Sequence, residues 1–443
     1  MPAPKDYFEL FTKQESRRLG HQVARLPANG GSLTIPLKVT AFRIGQVKLN
    51  ANFNVITHLP SLRLDIRRDG VSILGTPRAL LVNTALGPDT LVASPPAPPA
   101  PPAPPVSPES AEVNVSFVTV DETVTKGKHT YTFILTNSSP EDALVASYTV
   151  TAKSFRDNGK ATRGNLFVNQ ALSPNPAFVI LPGAVNSKTI LLPTFAQEGS
   201  RTRLDIDLQL LTGDINRTDL RFDLTRPDAD LINGRHTLFN PFFRELVPPP
   251  GTPGTVNIEF VTVDKDLPTP TTGGVAEITY TLTLTNRGTV PIEIGYYSLS
   301  ADVSPPRSKN FVARQDYRLI PDFARTINPF SRETLTDPLR VKVGKQGPVR
   351  LDLNINVVIP RTNSQIFYAI KRDGVTITEG LQVLVKSPPG AITPDTLYLA
   401  KVMIDVAFVD SDVCEGKHDY TVDLINYGPQ PIEVDFFSFN SEA

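Results

Sequence analysis

One stretch occurs three times along this chain, and the repetition limits the fold more than any other feature. Val113–Asn137 reads VNVSFVTVDETVTKGKHTYTFILTN. It returns as VNIEFVTVD (Val256–Asp264) followed by ITYTLTLTN (Ile278–Asn286), and again as VMIDVAFVD (Val402–Asp410) followed by GKHDYTVDLIN (Gly416–Asn426). In each copy a Tyr stands six residues before an Asn: Tyr131/Asn137, Tyr280/Asn286 and Tyr420/Asn426. A self-similar period means one unit used repeatedly, and 443 residues suffice for about three domains of ~150 residues each.

Flanking segments align as well. The run Gln46–Asn50 answers to Thr202–Asp205 and to Val349–Asp352, and Leu62–Ile73 answers to Leu220–Ile232 and Ile366–Ile377. Each unit closes on an alternating run: Ser147–Phe155, Tyr296–Val303, Phe436–Ala443. The expected division is an N-terminal connector with the start of module 1 over 1–30, the body of module 1 over 31–156, module 2 over 157–303 and module 3 over 304–443. The proline run Pro95–Pro105 resembles a linker. It aligns, however, with Pro248–Gly251 and Ser387–Gly390, so 95–107 reads as an expanded loop of stiff polyproline II inside module 1.

Apolar and polar residues alternate within each module. Tyr131, Phe133 and Leu135 share one strand face, and Thr132, Ile134 and Thr136 share the other. Seven or eight such runs per module, separated by Gly, Pro, Asn and Asp, predict an all-β chain of three tandem two-sheet sandwiches, Ig-like or jelly roll. Arg68-Asp69-Gly70 and Arg372-Asp373-Gly374 supply the Asp-Gly of a tight hairpin. Helical periodicity is confined to Tyr7–Arg18, which predicts one short helix.

Composition excludes several function classes. Lys plus Arg number 44 against 45 Asp plus Glu, so no basic excess points to nucleic acid or anionic lipid. No apolar run approaches the ~20 residues of a membrane span, and the first twenty residues are too polar to form the apolar core of a secretory signal. The single Cys414 cannot form an internal disulfide; it reads as an idle thiol or an intermolecular link.

No catalytic constellation, cofactor loop or metal spacing emerges, so the expectation is a protein that is not an enzyme and carries no cofactor. His129 and His418 hold equivalent places in GKHxYT, where module 2 has no His, which suits a turn residue better than a catalyst. The acidic pairs Asp121/Glu122, Asp264/Asp266 and Asp410/Asp412 are either solvated or ligands for a hard cation. One Arg recurs at the same place, Arg68, Arg226 and Arg372. It either packs on its own sheet and pairs with a nearby carboxylate, or it bridges modules. A Lys–Asn isopeptide bond at the repeated Asn fails, because Lys48 is answered by Arg203 and Arg350.

The ordered pattern Arg-Asp-Gly-Val-x-Ile, a strand ending in Val-Asp, then Gly-Lys-His-x-Tyr-Thr and a following Asn is fullest in modules 1 and 3. It resembles the single-module exosporium protein C type of spore-forming Gram-positive bacteria. More loosely it is similar to the jelly rolls of spore-surface proteins with tumour-necrosis-factor-like heads. Module 2 departs from it, with Pro227 in the hairpin and no Gly-Lys-His. The resemblance implies a structural protein of the spore surface, made in the mother cell, among other spore-surface proteins.

Module starts align too: Phe167–Gln170 and Phe311–Gln315 answer to Tyr7, Phe8, Leu10, Phe11 and Gln14. In the interior each such segment follows the closing strand of the preceding module. The expectation is therefore a subunit that polymerises with itself head to tail into an extracellular or spore-surface fibre or layer, its first residues adding to an edge left open near Phe436, Phe437 and Phe439 of the next copy. An alternative from another class is a tandem-sandwich adhesin or phage-fibre-like binding protein displaying loops at one end.

Overall fold

A computed structural model describes residues 8–16, 23–42, 45–57, 61–83, 111–155, 165–171, 178–183, 187–197, 199–213, 220–232, 254–265, 267, 275–304, 311–317, 325–360, 365–384 and 399–442. The proline run and Tyr7 lie outside the described residues. Every regular element among them is a β-strand.

Module 1 comprises β1 (Phe8–Ser16), β2 (Ala24–Leu26), β3 (Ser32–Ala41), β4 (Gly45–Thr57), β5 (Ser61–Arg68), β6 (Val71–Ser72), β7 (Arg78–Asn83), β8 (Ala111–Val124), β9 (Gly127–Asn137) and β10 (Ala143–Phe155). Module 2 comprises β11 (Asn165–Ala171), β12 (Phe178–Ile180), β13 (Lys188–Gln197), β14 (Thr202–Thr212), β15 (Leu220–Arg226), β16 (Ala229–Ile232), β17 (Gly254–Asp264), β18 (Val275–Asn286) and β19 (Ile292–Val303). Module 3 comprises β20 (Phe311–Tyr317), β21 (Arg325–Ile327), β22 (Ser331–Thr334), β23 (Leu339–Val343), β24 (Gly347–Pro360), β25 (Gln365–Arg372), β26 (Val375–Leu384), β27 (Leu399–Val413), β28 (Gly416–Asn426) and β29 (Ile432–Glu442).

Each module is an antiparallel sandwich with the strand order of a jelly roll. The first sheet of module 1 runs β1-β10-β4-β8, with β2 also on β10; the second runs β3-β9-β5-β7. Module 2 repeats this as β11-β19-β14-β17 over β13-β18-β15-β16, and module 3 as β20-β29-β24-β27 over β22/β23-β28-β25-β26. Each sandwich closes on its own apolar core, led by Phe53, Phe133 and Leu135 in module 1, Phe222, Phe260 and Leu282 in module 2, and Leu353, Val422 and Phe439 in module 3. The hairpin tips take the expected form. Asp69 and Gly70 have φ of 50° and 89°, and Asp373 and Gly374 have 51° and 82°, the paired positive angles of a two-residue turn that only Asp, Asn or Gly adopts readily.

Two expectations fail at the N-terminus. The short helix over Tyr7–Arg18 is absent: Phe8–Ser16 is a strand, in register with Phe155–Ser147 of β10 over nine residues. Pairing with a waiting neighbour outweighs weak local helical preference. For the same reason residues 8–16 and 24–26 are parts of module 1's own first sheet, not a connector leading out of it.

The sheets do not stop at module boundaries. Gly254–Val256 of β17 pairs with Asn83–Leu81 of β7, so the second sheet of module 1 continues into the first sheet of module 2. All three first sheets face one another, and the space between them holds many buried polar and charged side chains beside a small apolar contact of Val120 with Leu166 and Val168.

Candidate functional site: the buried seam between three modules

The strands β4, β14 and β24 explain the seam. Along β14, Leu204, Ile206, Leu208 and Leu210 point into the core of module 2, while Arg203, Asp205, Asp207 and Gln209 point the other way. In an ordinary sandwich that second face would be wet. Here it is buried: Arg203, Asp205 and Asp207 are at most 1% exposed. The same alternation puts Lys48, Asn50, Asn52 and Asn54 of β4, and Arg350, Asp352, Asn354 and Asn356 of β24, into the seam.

Ladder register sets the correspondences. Lys48 lies opposite Lys153, Arg203 opposite Asp302, and Arg350 opposite Glu442. Four cations and four carboxylates therefore meet out of water: Lys48, Lys153, Arg203 and Arg350 with Asp205, Asp302, Asp352 and Glu442. Lys48 of module 1 reaches Asp205 of module 2 at 2.5 Å. Arg203 of module 2 forks between its own Asp205 at 2.8 Å and Asp352 of module 3 at 2.6 Å. Arg350 binds its own Asp352 at 2.9 Å and donates to Thr151 of module 1. The ring closes through Lys153 of module 1, which donates to both Asp302 of module 2 and Glu442 of module 3. Burial alone would raise the carboxyls of Asp205 and Asp352. The adjacent cations, Arg203 and Lys48 for the first, Arg203 and Arg350 for the second, hold both below the usual carboxylate range.

Backbone groups close the same ring. Gln170 of β11 donates to the Val120 carbonyl at 2.7 Å and accepts from its N–H at 3.2 Å. Gln14 of β1 does the same to Val409 of module 3, at 2.6 and 3.1 Å. Asp207 accepts from the N–H of Val118, as Asn354 does from the N–H of Val261. Tyr296 of module 2 inserts into the core of module 1, stacking on Phe117 at 4.9 Å and donating its hydroxyl to the Val118 carbonyl. Ser438 and Asn440 of module 3 donate to the Val261 carbonyl of module 2. Thus module 1 touches 2, 2 touches 3, and 3 touches 1, all within one chain.

This arrangement places the residues expected to mediate head-to-tail docking. Phe8 lies on β1 opposite Phe155, Leu10 is half-buried there, and Phe11 packs on the core of module 1. Gln14 is spent on Val409. Phe436 lies opposite Tyr317 on one side and Asn356 on the other, so β29 presents no open edge at that place. Phe437 and Phe439 are buried in module 3. The edge expected to receive another copy is filled by β20 of the same module, since a segment already tethered beside an edge outcompetes one arriving from solution.

Other residues singled out from the sequence serve each module internally. Arg68 binds Asp121, Arg226 binds Asp264 and Arg372 binds Asp410, at 2.7, 2.9 and 2.7 Å. Tyr131, Tyr280 and Tyr420 donate to those same carboxylates. The recurrent Arg is thus an intramodule partner, and the first Asp of each acidic pair is buried, not solvated. Asn137, Asn286 and Asn426 donate to backbone carbonyls at the corner beneath them, including those of Leu26, Ile180 and Ile327. His129 sets Nδ1 against Asp69 and Nε2 against the Thr125 carbonyl, and His418 sets the same atoms against Asp373 and the Cys414 carbonyl. Facing an acceptor at both nitrogens, each imidazole is stabilised as the cation, and the hydrogen bond to Asp raises its pKa. Cys414 is exposed and free.

Sequence reasoning missed the seam because strict alternation reads as one buried and one solvated face. A signal was present: the polar positions of β4, β14 and β24 are Asn, Asp, Gln and Arg, with one Lys, and lack the Glu and Ser of an ordinary wet face. Among the described residues no group of three or more His, Cys, Asp or Glu is placed to hold a metal, and no helix is long and apolar enough to cross a membrane.

No family model and no curated protein matches the chain. Among solved structures, the STIV MCP is similar at 13% identity, covering 68% of this chain and 98% of its own, with a TM-score of 0.22. PNGF-II is similar at 10% identity over 88% and 98%, with a TM-score of 0.23. The ANXUR2 extracellular domain from Arabidopsis thaliana is similar at 10% identity over 66% and 92%, with a TM-score of 0.18. At these scores the likenesses carry no argument about activity.

Proposed function

We propose that this chain is a structural subunit of an extracellular surface layer, built as a three-module head in which one polypeptide does what a cyclic trimer does with three. The carrying observation is the closed ring of intermodule contacts through a buried cluster of four cations and four carboxylates. Its polar side chains are committed to holding modules together, as in a rigid block. The resemblance to exosporium protein C implies a spore-surface setting, and packing among copies then uses the outer faces of the ring, since β1 and β29 are engaged within the chain. Light scattering of the purified chain at low concentration should give a monomer, and negative-stain images at high concentration should give ordered arrays. Dispersed single particles at every concentration would remove the assembly reading.

A second reading, a binding module, is favoured by one feature of module 2. Leu191 and Phe195 are about half exposed on the same face of β13, with Phe167 beside Phe195 at 6.0 Å between ring centroids. Retention on a glycan array that is lost in Phe195→Ser would select it.

A further inference from the structure

Beside the balanced charges lies a second group of seam residues whose oxygens are not balanced. Asp207 and Glu259 stand directly opposite each other on β14 and β17, so their side chains share one face. Asn50 of module 1 donates to Glu259 Oε1 at 2.7 Å. Asn257, two residues before Glu259 on the same face, donates to the Ser116 carbonyl. Each of these four residues retains one oxygen that no donor reaches: Asp207 Oδ1, Glu259 Oε2, Asn50 Oδ1 and Asn257 Oδ1. Asn50, Asp207 and Glu259 are no more than 3% exposed. Buried acceptors without donors are costly, and four in one seam, two of them on facing carboxyls, would be relieved together by a shared positive partner. Asp405, the neighbouring carboxylate, does not share the need: it accepts from Ser116 and from Asn354.

We propose that the seam between modules 1 and 2 is a binding site for one divalent, oxygen-seeking cation of the calcium class, with Asp207 and Glu259 as charged ligands and the side-chain oxygens of Asn50 and Asn257 as neutral ones. Two carboxylates match one divalent charge, and the neighbouring cluster of four cations and four carboxylates is already neutral. A mixed set of carboxylate and amide oxygens suits calcium, whereas magnesium keeps most of its waters and fits a dry cleft poorly. The ligands come from two modules, Asn50 from one and the rest from the other, so the cation fastens a junction.

The test uses the full chain stripped with EDTA. Calcium chloride should raise its thermal midpoint in a saturable way, and calorimetric titration should give one calcium per chain. Asp207→Asn with Glu259→Gln should abolish both effects while staying folded in EDTA, since each amide keeps the shape of the carboxyl it replaces but cannot supply a charged ligand. Asn257→Ala, which removes one neutral ligand, should weaken the affinity on the order of tenfold and provides the readout if the double variant does not fold. A wild-type chain that takes up no calcium overturns the proposal, as does a calcium shift that is equal in the wild type and in the variants.

Discussion

The interior of each module and the seam between modules treat repetition in opposite ways. Inside, the copies share one set of ties: Arg–Asp–Tyr and the corner Asn recur at every equivalent position. At the seam they diverge: Lys153, Asp302 and Glu442 are equivalent by register and carry different charges. The reason is geometric. An internal group never meets its counterparts, so one solution serves three times. A group at the seam faces its own counterparts: Lys48, Arg203 and Arg350 already supply one cation per module, and acids at all three of the positions opposite them would leave five carboxylates against three cations out of water. One polypeptide can place a cation against two anions there, which three copies of one identical chain cannot do. The same divergence distinguishes the three junctions: Asp205 and Asp352 receive the cation of the preceding module, whereas module 1 offers Asn50 and relies on Lys153 instead.

The largest effect should come from erasing that divergence. Lys153→Glu places three acids at equivalent positions, and Lys153→Met leaves Asp302 and Glu442 without their shared cation. The second should cost about 3–5 kcal/mol in urea unfolding and the first more. Replacing Lys153, Asp302 and Glu442 together by Met, Leu and Met should recover most of the loss, because a packed apolar cluster avoids the desolvation of ions. Recovery that fails would mean that the seam depends on charge order, not merely on charge balance.

Next in size are the internal ties. Tyr280→Phe leaves the Asp264 carboxylate one donor short and should cost about 1–2 kcal/mol, with Tyr131→Phe and Tyr420→Phe in the same range. Equal costs in three modules would sharpen the contrast with the seam, where Lys153, Asp302 and Glu442 should not behave alike.

Acidity should act through both regions. Burial raises the carboxyls of Asp207, Glu259 and Asp405, the last to about 8. A raised carboxyl holds its proton in the folded chain after the unfolded chain has released it, so stability falls as pH rises from about 4 towards 8. Without divalent cations, the urea midpoint should be higher at pH 5 than at pH 8, and Asp405→Asn should flatten the slope. The smallest effect belongs to His129 and His418. Their raised pKa gives stability that is complete below about 6.5 and is lost as pH rises through the folded value. Titration of the two imidazoles by NMR should show both above the free value, and Asp69→Asn should lower only His129.

The sandwiches and hairpins were legible because their determinants are local: alternation along Tyr131–Leu135 and the Asp-Gly pairs at 69–70 and 373–374. The Arg68 set was legible as repetition, though not as a partner for Tyr131, since Asp121 is distant in sequence from Arg68. Closure of the ring was not legible. Gln14, Gln170 and Gln315 stand out in the sequence as equivalent, yet nothing local says that Gln14 finds Val409 in its own chain and not in another molecule. The seam stayed hidden for a related reason: whether a polar strand face meets water or a second sheet is decided by partners hundreds of residues away.

The Tyr296 ring carries a consequence for biosynthesis. Module 1 leaves the ribosome before module 2, but one of its interior side chains is encoded near the end of module 2. Until that ring emerges, the earlier sandwich lacks the side chain that stacks on Phe117. Maturation of the beginning of the chain is thereby timed by its middle.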